Sequence, residues 1–534
     1  MERELKDYAG ELLSNNSDSH SGRVIECNEC LANFTYPTKE AVHNRACEAI
    51  GKTMGEIANA MNSKISAKKS QTGYAWESWF GVATNSEAAK DLVKADVELK
   101  STGVIDTRNG KSAKERLVLN VINYITEYKV DFYNSSFWEK NNRMEIGFYA
   151  YDKTKNWMDF ELLQSALFEF PEKDLAIIKQ DFELIQEYIV AGKAHELSES
   201  LTMYLGACPK GKNKDDKRDQ HPDLNAPRAM QRAYALKNSY MTYIVRNYVF
   251  GALSDDKIRI HPFTQEAGDV EPENQVQSVI QDLGDYLEGQ YRHLGEYIHE
   301  KTFAWIGKNL VSIASSFDIW PNLKGEYPKN IKAMLVSRML GTLGDLQKSE
   351  EFQKAGITVK TITVNENNTI EENMSFPAFK FKEIVQESWE ESTLRNFFES
   401  AKFFFVVFKK DAAGNQFFQG AKFFSIPQED LDGPIKMVWN ETVDTISRGV
   451  SLYTKNGKPR VYNNFVKESE GRIIHVRPHA AVASYHPNTA SSDELPVHAK
   501  WTDKPAEYSD DWMTKQCFWL NKSYVLEHIK DILV

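Results

Sequence analysis

Asp91, followed shortly by Val97-Glu98-Leu99-Lys100, supplies a set of side chains suited to one demanding reaction. Hydrolysing a phosphodiester needs a Lewis acid on a phosphate oxygen, an activated water and a cation near the charge that develops. A hard ion such as Mg²⁺ takes carboxylate and carbonyl oxygens. If residues 96–101 run as a strand, alternation puts Glu98 and Lys100 on one face. Asp91 and Glu98 can then clamp one metal ion while Lys100 lies beside the attacking water. Glu77 is a third acid, in a segment (Gly73-Tyr74-Ala75-Trp76-Glu77-Ser78-Trp79-Phe80) whose spacing suits a helix packed on that strand. Taken alone, the same pattern also fits an ordinary charged strand edge.

The elements that must position these groups recur along the chain. Ile178, Phe182, Ile185 and Ile189 at helical spacing predict an amphipathic helix over 173–191, closed by Gly192. The run Lys402-Phe403-Phe404-Phe405-Val406-Val407-Phe408 reads as a buried strand, and Gly420–Ile426 as a second. At an offset of 260, Trp79-Phe80-Gly81 falls on Met339-Leu340-Gly341, and Val97-Glu98-Leu99-Lys100 on Ile357-Thr358-Val359-Lys360. At an offset of 284, Tyr234-Ala235-Leu236-Lys237-Asn238-Ser239-Tyr240 falls on Phe518-Trp519-Leu520-Asn521-Lys522-Ser523-Tyr524. This order predicts a duplicated domain. In the second copy Ser337, Glu351 and Thr358 face Glu77, Asp91 and Glu98, and only Lys360 matches Lys100. Two carboxylates are missing there, which a purely structural role gives no reason to lose.

Composition bounds the rest. The 534 residues, 41% hydrophobic and 12% aromatic, exceed one typical domain, and mixed helix and strand signals favour α/β. The expected division is an N-terminal extension over 1–40, a catalytic domain over 41–251, an acidic, proline-bearing linker over 252–275 and a degenerate copy over 276–534. Neither a signal peptide nor an apolar run of about 18 residues is present, so no membrane partner and a cytoplasmic setting are expected. The net charge of −11 runs against a general nucleic-acid binder and requires a locally basic groove. Lys210, Lys212 and Lys214 form the most basic short run, which is either a solvated loop or a DNA contact.

Cys27-x2-Cys30-x12-His43-x3-Cys47 has the spacing of a Cys₂HisCys zinc site. A reduced CxxC hairpin is the other reading. His195 and His475 lack metal-spaced neighbours and are expected to be hydrogen-bonded structural histidines, and Cys208 and Cys517 to be semi-buried residues without chemistry.

Larger stretches resemble a known family. AVHNRACEAIGKTMGEI from Ala41, GYAWESWFG, Asp91 with DVELKSTG, KSAKERLVLNVINY, GKAHELSESLTMYL, SFPAFKF, FFSIPQEDLDGP, HVRPH and DDWMTKQCFWLN together resemble the MutH-like nucleases. The likeness is nearest to the tandem, GATC-specific type II restriction endonucleases of bacteria and spans residues 41 to 534. It implies a restriction-endonuclease-like α/β fold in each half, each a mixed sheet flanked by helices, and Mg²⁺-dependent double-strand cleavage at GATC, before the G, leaving 5′-phosphates. It makes Asp91 and Glu98 metal ligands and places Lys100, Glu77 and Lys140 in the active site. It puts the base-reading turn on Cys208-Pro209-Lys210-Gly211, where lysine can donate to guanine or thymine. The matching turn of the second copy is Arg477-Pro478-His479, which implies a second GATC bound as effector and self-association on two-site DNA. One departure concerns a tyrosine used near adenine in MutH repair nucleases, which falls on Ala235 beside Tyr234. Adenine-methylation discrimination is therefore open. A mismatch-repair nicking enzyme and a non-catalytic GATC-binding regulator are the alternatives.

Overall fold

The computed structural model describes residues 36–60, 71–82, 89–107, 110–211, 216–261, 276–371, 373–454 and 460–533. The chain forms two compact units. One draws on the chain up to Asn120, on Val130–Leu175 and on the segment beginning at Met241. The other draws on Val121–Lys129, Ala176–Tyr240 and the chain from Pro272 onward. Among the described residues no helix is long and apolar enough to cross a membrane.

The first unit is built on a five-stranded mixed sheet. Helices α1 (Lys39–Cys47), α2 (Met54–Asn59) and α3 (Gln71–Trp79) precede strand β1 (Glu98–Thr107), which turns back into β2 (Gly110–Ala113). A short helix α4 (Ser136–Asn141) leads into β3 (Arg143–Ala150), and β4 (Leu162–Glu169) follows. β1 runs parallel to β3, with Glu98 opposite Met144 and Lys100 opposite Ile146, and β3 is antiparallel to β4. Residues Ile258–Ile260, inside the segment expected to be a linker, add an edge strand to β4. Val97, Leu99, Trp76 and Phe80 are buried in one core. Helix α3 lies close against the sheet because Gly147 has no side chain: a Cβ there would stand 3.1 Å from the Trp76 ring. The Trp76 indole N–H donates to the Glu145 carbonyl at 3.3 Å. Those two contacts set the height of α3, and with it Glu77, over the sheet.

In the second unit, most of helix α5 (Glu172–Val190) precedes strands β5 (Leu205–Pro209) and β6 (Arg232–Leu236), which pair antiparallel. The helix ends ahead of Gly192, whose φ of 71° closes it. Further on, α6 (Ile331–Met339) and α7 (Glu350–Ala355) precede β7 (Ile357–Val364), β8 (Lys402–Lys410) and β9 (Gln416–Phe424). β7 is parallel to β8 and β8 antiparallel to β9, the same order of pairing as β1, β3 and β4. The second aromatic strand begins at Gln416, ahead of the expected Gly420, because its ladder with β8 extends to Lys410. Finally β10 (Ile474–Pro478) and β11 (Gln516–Leu520) pair antiparallel, as β5 and β6 do.

The segment leading into β5 is held by buried charges. Asp181 of α5 accepts the backbone N–H groups of Met203, Tyr204 and Leu205 at 2.7, 2.6 and 2.9 Å. Lys237 donates to the Thr202 carbonyl at 2.5 Å, Lys402 to that of Leu201 at 3.0 Å, and Ser425 to that of Ser200 at 2.9 Å. Burial pushes the Asp181 carboxyl up to about 6 against those hydrogen bonds, and pulls Lys402 down to about 7. Residues far apart in the sequence thus fix one backbone segment within a single unit. Asp181→Ala leaves three amides without an acceptor and two lysines without their anion, and should cost about 3 kcal/mol or more. Thermal unfolding checks this; an apparent Tm within a degree of the parent would refute the anchoring role.

Candidate active site

Asp91 opens a tight turn closed by two backbone hydrogen bonds, Leu92 N–H to Val97 O at 3.0 Å and the reverse at 3.2 Å. Inside it Asp96 takes a φ of 57°, a left-handed conformation that aspartate tolerates better than most residues. Lys90 secures that residue through its carbonyl at 3.1 Å and its carboxylate at 2.6 Å, while Arg143 reaches the other carboxylate oxygen at 2.9 Å. The turn folds Asp91 onto the start of β1. The Leu99 amide donates to Asp91 Oδ2 at 2.9 Å, and the Asp91 amide donates to Glu98 Oε2 at 3.3 Å. Lys100 donates to Glu98 Oε1, and Lys140 Nζ of α4 stands 3.6 Å from the same oxygen. Lys140 is itself aimed by a bond to the Ala89 carbonyl at 3.1 Å.

Glu77, presented by α3, joins the cluster electrostatically. Burial, with the negative charge of Asp91 next, pushes its carboxyl up to about 7, although Lys100 pulls the other way. Burial and then Glu98 push Asp91 up to about 6. All five residues picked from the sequence are therefore brought together in one unit. The acids outweigh the ammonium groups, and crowded carboxylates favour either protons or a divalent cation. The donors suit Mg²⁺, which commonly binds through one or two carboxylates and keeps several waters. Among the described residues no group of three His, Cys, Asp or Glu side chains is placed to hold an ion.

The second half holds no such centre at the aligned positions. Ser337 donates to the Gly344 carbonyl at 2.7 Å, and Glu351 accepts the amides of Val279 and Ile280 at 2.7 and 3.3 Å. Thr358 and Lys360 lie on β7. Of the expected base-reading residues, Pro209 ends β5 and the exposed Lys210 follows, its amide bonded to the Gln231 carbonyl at 2.9 Å; Lys212 lies outside the described residues. Arg477 lies at the end of β10, its guanidinium 4.9 Å from the Trp519 ring centroid, and exposed His479 is held by its amide to the Lys515 carbonyl at 2.8 Å. Tyr234 is buried and stacks on Phe182, so it faces the core.

His43 and Cys47 share α1, with Nε2 and Sγ 3.7 Å apart. The other ring nitrogen, Nδ1, meets buried Glu145 at 3.1 Å, and Ser165 donates to that carboxylate at 2.5 Å. Cys27 and Cys30 lie outside the described residues. His195 does have a polar neighbour, Gln220 Nε2 at 3.4 Å. His475 corrects the expectation made for it. It is fully buried with neither ring nitrogen partnered, and burial holds it neutral, with its pKa pulled down to about 4. Cys208 and Cys517 are wholly rather than half buried. Lys90, Asp96 and Arg143 escaped the sequence reading. Lys90 and Asp96 flank the acid at 91, but only folding shows Arg143 meeting Asp96.

The raised carboxyls carry a sign. Between about pH 4 and 7 the native cluster holds protons that unfolded carboxyls have lost, so metal-free stability falls as pH rises through that window. A divalent ion must displace those protons. Mn²⁺ affinity, measured calorimetrically, is expected to weaken about tenfold or more between pH 7 and pH 5, with proton release visible in buffers of different ionisation enthalpy. Affinity independent of pH would contradict this account of the cluster.

The family model described as the DNA mismatch repair enzyme MutH matches residues 80–181, a span containing Asp91, Glu98, Lys100 and Lys140. The type II restriction enzyme Sau3AI of Staphylococcus aureus is 40% identical over 526 residues, covering 93% of this chain and 100% of that protein. With likeness running through both chains and a MutH-like stretch around the acid cluster, this chain belongs to the type II restriction enzyme family that includes Sau3AI, and is a DNA-cleaving enzyme.

Proposed function

We propose that the chain cuts both strands of DNA at GATC, before the G, with Mg²⁺ held by Asp91 and Glu98. The observation that carries this reading is the hydrogen-bonded return of Asp91 onto Glu98, which sets two carboxylates side by side at the start of β1. When bound, Mg²⁺ supplies Lewis-acid polarisation of the phosphate and lowers the pKa of a bound water. The protein's own groups do the rest. Lys100, poised on Glu98, orients the attacking water; Lys140 faces the charge that develops on the phosphate. Glu77, with a carboxyl near neutrality, can hold or release a proton at working pH.

The target sequence comes from the family likeness, with Pro209, Lys210 and Lys212 reading bases. We place the catalytic domain at 41–251, after an extension over 1–40, and a second, degenerate copy at 276–534; the stretch 252–275, expected as a linker, lends the edge strand Ile258–Ile260 to the first unit's sheet. The recurring strand pairing and the lost acids support duplication. In this reading Arg477 and His479 engage a second GATC as effector. One acid cluster cuts one strand at a time, so double-strand cleavage proceeds either by self-association of two chains on the DNA or by rebinding of one. His43 and Cys47, backed by Glu145, are spaced to share a zinc ion with Cys27 and Cys30, since a carboxylate behind a ligating histidine is the usual support of such sites.

Asp91→Ala and Glu98→Ala should each lower cleavage of a GATC plasmid about a thousandfold or more, and Lys100→Ala about a hundredfold. Unchanged cleavage by either acid variant would remove the metal site from this reading, and nicked circles that never become linear would favour a nicking enzyme. Arg477→Ala with His479→Ala should abolish stimulation by a second site while sparing one-site cleavage. Point variants suit this better than truncation, because residues 176–240 share a compact unit with the chain beyond Pro272. Elemental analysis should find one zinc per chain, lost in Cys27→Ser with Cys30→Ser; purified protein without zinc would leave the reduced hairpin.

A further inference from the structure

Lys90 stands one residue before Asp91, yet its ammonium group is committed elsewhere. The side chain is 5% exposed, and its three N–H donors match three oxygens: the Asp96 carbonyl at 3.1 Å, Asp96 Oδ1 at 2.6 Å and Asn142 Oδ1 at 2.5 Å. With those bonds made, no donor is left for a phosphate or a water. Asn142 directly follows α4, the helix that carries Lys140. Lys140 answers in the other direction, donating to the Ala89 carbonyl at 3.1 Å. Two lysines, each reaching across to the other's segment, thus tie residues 89–90 to residues 140–142. Arg143 adds a further tie. It holds Asp96 Oδ2 at 2.9 Å and Glu169 of β4 at 2.7 Å, so the far end of the turn is pinned to the sheet as well.

A buried ammonium group rarely stabilises a fold more than apolar packing would; its effect is to penalise misplacement. The placement at stake is visible in the cluster. Asp91 comes from the turn, Lys140 from α4, and Glu98 meets both: its Oε2 accepts the Asp91 amide, and its Oε1 lies 3.6 Å from Lys140 Nζ. Without Lys90, much of the task of joining the turn to α4 would fall to Lys140, the group that must also face the phosphate. An error of about 1 Å in such a geometry can cost a hundredfold in rate.

We propose that Lys90 is a positioning residue for cleavage: by joining the turn that carries Asp91 to the end of the helix that carries Lys140, it sets the span between the metal ligand and the lysine at the phosphate. The proposal rests on the reading that Asp91 holds the metal and Lys140 faces the phosphate, and adds what keeps the two in register.

The test measures, on the full chain, Mn²⁺ affinity by calorimetry and kcat and KM for a one-site GATC duplex, with thermal unfolding as the folding check. Lys90→Met is expected to weaken Mn²⁺ binding about tenfold and to lower kcat about tenfold or more at saturating metal, with KM within about twofold of the parent. Asp96→Ala should follow it. Asp96→Asn, whose amide oxygen can still accept from Lys90 and which also tolerates the left-handed backbone, should lose about threefold. The decisive reading is the pairing with Lys140. Lys140→Ala should lower kcat about a hundredfold in the parent but about tenfold or less in Lys90→Met, because the span it depends on is already lost. Losses that simply multiply, a Lys140→Ala that leaves the parent's rate intact, or a Lys90→Met with parental metal affinity and kcat would each overturn the positioning role. If Lys90→Met does not fold, Lys90→Gln carries the same measurements. Asp91→Ala separates the two readings. If it is inactive while the Lys90 variants match the parent, the metal site stands and the positioning role falls. If it cleaves like the parent, the metal reading falls and takes the positioning role with it.

Discussion

Crowding of like charge at the start of β1 is the constraint on which the first unit turns. Asp91, Glu98 and Glu77 are brought out of water close enough that two of them hold their protons toward neutrality. Such an arrangement is unfavourable in a chain left to itself, and the fold tolerates it because several neighbours insist on it. The amides of Leu99 and Asp91 donate to Asp91 Oδ2 and Glu98 Oε2 across that turn, and Lys90 and Arg143 hold Asp96 in the left-handed conformation that closes it. Gly147 lets α3 approach until Glu77 adds a third charge. The stored repulsion is what a divalent cation relieves, so affinity for metal and a cost in metal-free stability are two faces of one arrangement.

The second unit meets its electrostatic burden differently. Asp181, Lys237 and Lys402 are buried, yet each has backbone partners, and together they grip residues 200–205. Buried charges rarely add stability over apolar packing, but they punish misplacement heavily. Here they set the start of β5, whose far end is the Pro209–Lys210 turn. Two of the gripping side chains, Lys402 and Ser425, come from beyond the expected linker, which explains why residues 176–240 group with the later chain.

The two halves differ at the aligned positions. One gathers three acids around Lys100; in the other, Ser337 and Thr358 stand where two of those acids would be, while Lys360 remains. Glu351 shows the change at a single position. It remains a carboxylate, but accepts the amides of Val279 and Ile280 and is spent on holding the backbone.

Features carried by consecutive residues were readable from the chain alone. Helix α5 follows from its apolar spacing, β8 from its aromatic run, and the common face of Glu98 and Lys100 from strand alternation. That Ser337 and Thr358 stand opposite Glu77 and Glu98 at the repeat offset was legible from the sequence itself. Other features required the fold. Arg143 bracing Asp96, Glu145 backing His43, the edge strand at 258–260 and the partnerless His475 depend on residues that approach only once distant segments pack. Periodicity is a local property written residue by residue. Which charge faces which is settled by where separate strands and helices come to rest, and no spacing along the chain encodes that distance.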